Sequence, residues 1–126
     1  MINFVQTDKA PAPAGHYSQA TEFNNLIFVS GQLAIDPATG EKKLGTIEEQ
    51  TLQTLENVKA IVEAAGGSLE SILKMTLYVS DISLWGRVNE VYTQFFGAHK
   101  PARAVVPTRE LHYGFLIEIE AIAAKL

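Results

Sequence analysis

The sequence predicts an α+β fold, a single mixed β-sheet with two helices packed on one face. Three observations point to it. Only two stretches, after Thr46 and after Ser83, repeat apolar residues at helical spacing. Several others, among them 26–30, 73–79, 101–107 and 115–123, are rich in branched and apolar residues or alternate with a period of two, as strands do. The order is strands, helix, strand, helix, strands, with no repeat, linker or low-complexity segment dividing the 126 residues, so one domain spans 1–126. Two helices cannot cover both faces of one sheet, which leaves the second face to be buried against partner chains.

Taken in order, Ile2-Asn3-Phe4-Val5 alternates weakly and reads as a short first strand. Pro11 and Pro13 then enforce an extended, irregular path, because each lacks an amide donor and biases the residue before it away from helix. This loop delivers Tyr17-Ser18-Gln19. Asn24-Asn25 signals a turn, and Leu26-Ile27-Phe28-Val29-Ser30 reads as a strand ending at Gly31. A glycine there permits a bulge or a close backbone approach, and is equally read as a plain strand-end kink. Leu33-Ala34-Ile35 continues the strand into a turn at Asp36-Pro37-Ala38-Thr39-Gly40.

Thr46-Ile47-Glu48-Glu49 has the form of a capping box. The helix it starts carries Leu52, Leu55, Val58, Val62 and Ala65 on one core face and stops at Gly66-Gly67. Leu73, Met75, Leu77 and Val79 alternate with Lys74, Thr76 and Tyr78 as a strand. Ser83 is placed to cap a second helix whose inner face is Trp85, Val88, Tyr92 and Phe95, ending at Gly97. Asn89 falls at the edge of that face, where most asparagines are simply surface residues.

Composition excludes several chemistries. Without cysteine there is no disulfide framework, thiolate metal site or thiol nucleophile. A formal net charge of -4, with lysine and arginine scattered, argues against a nucleic-acid binder, which needs a clustered basic patch. His16, His99 and His112 are isolated in sequence, not at metal-ligand spacing, and 29–32 lacks the glycine pattern of a nucleophile elbow. No signal-peptide pattern or long apolar run is present, which predicts a soluble, cytoplasmic protein with no membrane partner.

The unusual charges lie near the C-terminus. Arg103 stands alone in the apolar run 101–107, and a strand's period of two puts Glu118 and Glu120 on one face, opposite Ile117 and Ile119. Two readings are open on spacing alone. Arg103 and a glutamate form a cross-strand ion pair on a solvated face, worth about 0–1 kcal/mol, or they are the charged groups of a site.

A resemblance separates these readings. The stretches Ala10-Pro11-Ala12-Pro13-Ala14-Gly15-His16-Tyr17-Ser18-Gln19-Ala20, Val29-Ser30-Gly31-Gln32, Pro101-Ala102-Arg103 and Ile117-Glu118-Ile119-Glu120-Ala121 resemble the motifs of the Rid/YjgF family, the reactive intermediate deaminases also known as liver perchloric acid-soluble protein. The match runs nearly end to end. It implies a chorismate-mutase-like fold, and a homotrimer whose sheets meet at the centre with sites in the clefts between subunits. It also implies hydrolysis of 2-imino or enamino acids to 2-oxo acids and ammonia, without metal or cofactor.

By the same resemblance Arg103 and Glu118 are the catalytic pair. Tyr17, Ser30, Gly31, Asn89 and Val105 contact the substrate, and Glu120, the second of the pair, is structural. The chemistry is plausible for such a sparse set. A guanidinium fork binds a carboxylate bidentately, and a positioned carboxylate can relay protons for a reaction that already proceeds in water. The chain departs from the family at His16, where a proline is usual, and at Leu111-His112-Tyr113-Gly114, where a leucine-proline pair is usual; both affect the pocket's edge. The family has also been described as endoribonucleases or translation inhibitors, and a carboxylate-binding module without turnover is a further alternative.

Overall fold

Arg103 and Glu118 enter the structure on strands that never touch. The computed structural model describes residues 1–126. Its strands are β1 (Asn3–Val5), β2 (Ala20–Phe23), β3 (Leu26–Gln32), β4 (Ile72–Val79), β5 (Ala102–Pro107) and β6 (Ile117–Ala124), with helices α1 (Ile47–Ala64) and α2 (Trp85–Phe96). One sheet contains all six strands in the order β1-β2-β3-β6-β4-β5. Only β4 and β5 run parallel, so the sheet is mixed as expected.

The topology explains why both helices share a face. β6 is antiparallel to both β3 and β4, which makes β3 and β4 parallel to each other, with α1 as their crossover. α2 is the crossover between β4 and β5. Both connections step the same way along the sheet, so a common right hand places both helices on one side. Beneath them lie Ile27, Val29, Met75, Leu77, Val79, Ile117, Ile119, Ala121 and Ala123, all buried. Leu55, Val58, Ile61 and Val62 of α1 are fully excluded from water, and each such side chain contributes about 1.5–3 kcal/mol.

The other face is open. Phe4, Phe23, Leu26, Phe28 and Val106 stand exposed on it, and Phe4 lies across Thr21 from Phe28 in register. This is a broad apolar patch for a lone chain.

Several local expectations change. Leu52 of α1 is 44% exposed, and Ile47 and Ile61 take its place in the core stripe. Thr46 does cap α1, its hydroxyl accepting from the Glu49 amide at 3.2 Å, but the Glu49 carboxylate lies against Gly45 and does not complete a box. α2 buries Val88, Tyr92 and Phe96, four residues apart; Phe95 is about 100° off that line and only half-buried, and Trp85 is exposed at the helix start. The cap before α2 is Asp81, which accepts from the Ser83 amide at 2.8 Å and opens a 3₁₀ turn, 82–84, that runs into the helix.

Leu73 is exposed because a register shift between Ile72 and Lys74 gives the buried slot to Ile72. β3 ends at Gln32, and Ile35 instead bridges Lys42 across the turn at Asp36–Gly40. β2, unanticipated, pairs β1 with β3. No helix is long and apolar enough to cross a membrane.

Candidate active site

Two polar cavities lie on opposite sides of the sheet. Arg103 pairs in register with Met75, a buried residue of the helix-bearing face, and projects toward α2. Its Nη1 donates to Asn89 Oδ1 at 2.8 Å, and its guanidinium sits 4.7 Å from the Tyr92 ring centroid and 5.9 Å from that of Trp85. Aromatic faces attract the cation without neutralising it. The protein's ion pairs are Lys43–Asp36, Arg87–Glu48 and Lys125–Glu22, so Arg103 has no carboxylate partner. Its cavity, ≈ 290 Å³, is lined by Asn89, Tyr92, Thr93, Phe96, His99, Lys100 and Arg103 among others, with no acidic side chain.

Glu118 pairs in register with Tyr78, and Glu120 with Thr76, on the open face. The second cavity, ≈ 530 Å³, is lined by Tyr17, Ser30, Gly31, Leu33, His112, Tyr113, Glu118 and Glu120 among others. Half-burial pushes the Glu118 carboxyl up from its ordinary range; His112 pulls the other way, and Glu120 adds to the rise. Ionisation is disfavoured where water is scarce, and a carboxyl tuned upward is a better proton acceptor.

Local structure explains how this cavity is built. The β3–β6 register shifts between Val29 and Gln32, an irregularity of the kind a glycine permits, and Gly31 falls within it. A methyl group at Gly31 would meet the Glu118 carboxylate where it now lies, so the glycine leaves room for that close approach, and its place inside β3 removes the strand-end kink reading. Ser30 donates to Ser18 O at 2.6 Å, and its amide to Gln19 O at 2.9 Å, locking the Tyr17 loop to the strand. Tyr17 is half exposed, its hydroxyl accepting from the Ala14 amide at 3.3 Å.

The ion-pair reading of Arg103 with a glutamate is overturned. β4 separates their strands, and the two side chains leave opposite faces. Asn89 braces Arg103 and shares its cavity. Val105 lies on the same face as Arg103, packs against the core, and lines neither of the two cavities. Glu120 accepts the Tyr78 hydroxyl at 2.7 Å, which raises the tyrosine's pKa.

The roles of Gln19, Lys42 and the buried α1 amides escaped the sequence reading, whereas His112 and Tyr113 fall at the pocket's edge as expected. Gln19, 1% exposed, ties the proline loop down: its Oε1 accepts from the Thr7 amide at 2.8 Å, and its Nε2 donates to Thr7 O and Pro11 O at 3.0 and 2.9 Å. That anchor supplies the rigidity His16 does not. His112 and Tyr113 line the Glu118 cavity from a turn in which Tyr113 and Gly114 have φ of 59° and 78°. Lys42 covers the Tyr113 ring at 4.8 Å. Buried α1 amides hold this wall, with Gln50 accepting from the Leu116 amide at 2.8 Å and Asn57 donating to Leu33 O and Ile35 O at 3.0 Å each. A buried glutamine beside a proline loop, and buried amides on a helix, were the only signals available.

The fold and the divided site define a class of small α+β domain with polar cavities on both sides of one sheet. The Endoribonuclease L-PSP family profile matches residues 7–125, and the chain belongs to that family, which takes in the YjgF, RutC and Rid proteins. It is 50% identical over 125 residues to a RutC family protein of Pyrococcus horikoshii, covering 99% of each chain. It is 41% identical over 121 residues to the 2-iminobutanoate/2-iminopropanoate deaminase of Rattus norvegicus, covering 96% of this chain and 88% of that one. The crystal structure of E. coli TdcF with bound serine superposes with a TM-score of 0.93 at 39% identity, covering 98% of this chain and 99% of that one.

Proposed function

We propose that the chain is a deaminase that hydrolyses 2-imino and enamino acids to 2-oxo acids and ammonia. Its site is a cleft between protomers of a homotrimer, with Arg103 supplied by one protomer and Glu118 by the next. The observation that carries this reading is the separation itself: an unpaired guanidinium in a cavity without acids, and a pKa-raised carboxyl in a second cavity across the sheet. Neither cavity holds both groups, and the open apolar face supplies a surface for association. The rat relative's name and the serine bound to TdcF support an amino-acid-derived substrate with a free carboxylate.

In this reading Arg103, held by Asn89 and backed by Tyr92, clamps the substrate carboxylate and presents the C=N carbon to water. Glu118 takes a proton from the attacking water as the C–O bond forms. It returns that proton to nitrogen, giving a carbinolamine; the carbinolamine hydroxyl proton then passes through Glu118 to nitrogen as the C–N bond breaks, so that ammonia departs and a 2-oxo acid remains. An enamino acid first gains a proton at carbon and gives one up from nitrogen to become the imine. One positioned proton-transfer group is worth about two to four orders of magnitude, enough for a bond that already hydrolyses unaided.

The test generates 2-iminobutyrate in place with an amino-acid oxidase and follows 2-oxobutyrate formation. Acceleration that Arg103→Ala abolishes, with fold and assembly unchanged, is the expected result; equal rates for the two proteins would remove the assignment. Ligand binding without any wild-type turnover would favour a carboxylate-binding module instead. The family's endoribonuclease description finds little support in a chain of net charge -4, and a salt-sensitive mobility shift with RNA would be needed to revive it.

A further inference from the structure

Resting on the deaminase reading, we infer that the cleft favours substrates with a second acid group, the imines of dicarboxylic amino acids, and that Lys100 is the anchor for that group. Lys100 and Arg103 line the same cavity and are its only lysine and arginine, with no aspartate or glutamate beside them. No carboxylate faces them, and Lys100 takes part in none of the protein's ion pairs. Lys100 is exposed, and two cations lining one concave surface without a counter-ion raise the local positive potential, which a dianion relieves better than a monoanion.

The lysine's mount is fixed. Gly97 closes α2 with φ of 61°, and the His99 amide donates to Phe96 O at 3.2 Å. His99 Nε2 lies 2.8 Å from Ile72 O; a carbonyl can only accept, so that nitrogen carries the hydrogen. Pro101 restricts the next φ before β5 begins at Ala102. Lys100 is therefore held just ahead of Arg103 on a pinned segment, while its own four-carbon stem stays free to reach.

The two cations suit different tasks. Arg103, fixed by Asn89 and the Tyr92 ring, presents a rigid fork for the carboxylate next to the imine carbon. Lys100 is a mobile point charge that tolerates a carboxylate at varying distance. The opposite half of the proposed cleft carries Glu118 and Glu120, which repel a second acid group and turn it toward Lys100. The bonds made and broken are those already given: water oxygen joins the imine carbon, and nitrogen departs as ammonia. The product is a 2-oxo dicarboxylate.

The experiment compares 2-iminoglutarate, generated from L-glutamate by an oxidase with catalase present, with 2-iminobutyrate generated in the same way. Wild-type protein is expected to show the higher kcat/KM on the diacid. Lys100→Met is expected to lower kcat/KM on the diacid at least tenfold more than on 2-iminobutyrate, chiefly through KM, and Lys100→Arg to restore most of the difference. An unchanged ratio between the two substrates in Lys100→Met, or a wild-type preference for 2-iminobutyrate, overturns the inference and leaves the deaminase reading standing. If wild type accelerates neither, the deaminase reading falls, and calorimetric titration with succinate and butyrate decides the diacid cavity. Tighter succinate binding that Lys100→Met removes supports it, and equal affinities overturn it.

Discussion

Arg103 and Glu118 leave opposite faces of one sheet, with β4 lying between the strands that carry them. The covalent order of the chain therefore does not assemble the two charges; in the proposed cleft a contact between protomers does.

That arrangement makes a stoichiometric demand. Arg103→Ala and Glu118→Ala proteins, each inactive, are unfolded together and refolded as mixed assemblies. Random mixing gives about a quarter of the clefts an intact Arg103 and an intact Glu118, so imine hydrolysis is expected to return to roughly that fraction of wild type. A mixture as inactive as its components would mean that the two groups do not meet between chains.

The pH profile follows from Glu118. As general base it must be ionised, so kcat/KM is expected to rise with pH through a limb above 4.5, the ordinary carboxyl value, because burial raises its pKa. Two substitutions move that limb in opposite directions. His112→Asn removes an influence that lowers the pKa and shifts the limb to higher pH, whereas Glu120→Gln removes one that raises it and shifts the limb lower. Stability follows the same linkage: a carboxyl raised in the folded state favours folding below its unfolded pKa and loses that advantage as pH rises through the folded value. Glu118→Gln should thus gain in thermal stability relative to wild type as pH rises above 4.5, the ordinary carboxyl value. A gain that does not grow with pH would contradict the assigned burial.

Gly31→Ala tests the close approach at the bulge. The new methyl group meets the Glu118 carboxylate, a side chain able to swing away. The expected outcome is a folded protein of little-changed stability whose kcat falls at least tenfold because Glu118 is displaced. Retained kcat would show that the carboxylate's position is not critical.

Tyr92 offers a separation of ring from hydroxyl. The ring lies under the Arg103 guanidinium, while the buried hydroxyl has no hydrogen-bond partner, and burial pushes its pKa up to about 12. Tyr92→Phe keeps the ring and removes an unsatisfied group, so stability should hold or improve by about 1 kcal/mol with activity intact. Tyr92→Leu removes the face beneath the guanidinium and is expected to raise KM. Equal KM values for the two variants would remove the ring from the account.

Element types were legible from pattern because α1, α2, β3, β4 and β6 each bury a face with a clear period, and β5 is a branched apolar run bounded by prolines. Their neighbours were not. β6 inserts between β3 and β4, a long-range choice that no local spacing encodes, and for that reason the sequence left Arg103 and Glu118 free to seem adjacent. β2 escaped because Thr21 and Glu22 look like loop residues and are made strand by pairing on both sides. The helix faces slipped by one residue where bulky side chains sit at the rim. Phe95 and Phe96 compete for one slot, and only packing against the sheet selects Phe96. In the site, Arg103, Glu118 and Gly31 were legible from motif. Gln19, Gln50 and Asn57 were not, because their work is to satisfy backbone groups brought close by the fold.

The placement of unlike cavities on the two sides of the sheet also restricts symmetry. If the proposed cleft forms, a protomer's arginine side is met by a neighbour's glutamate side, so productive contacts run head to tail and propagate until a rotation closes the circle. A twofold pair completes a cleft only if one self-complementary interface reaches both cavities, which here lie on opposite sides of the sheet. Assembly by the wrong operator would then yield a well-folded protein with no chemistry at all.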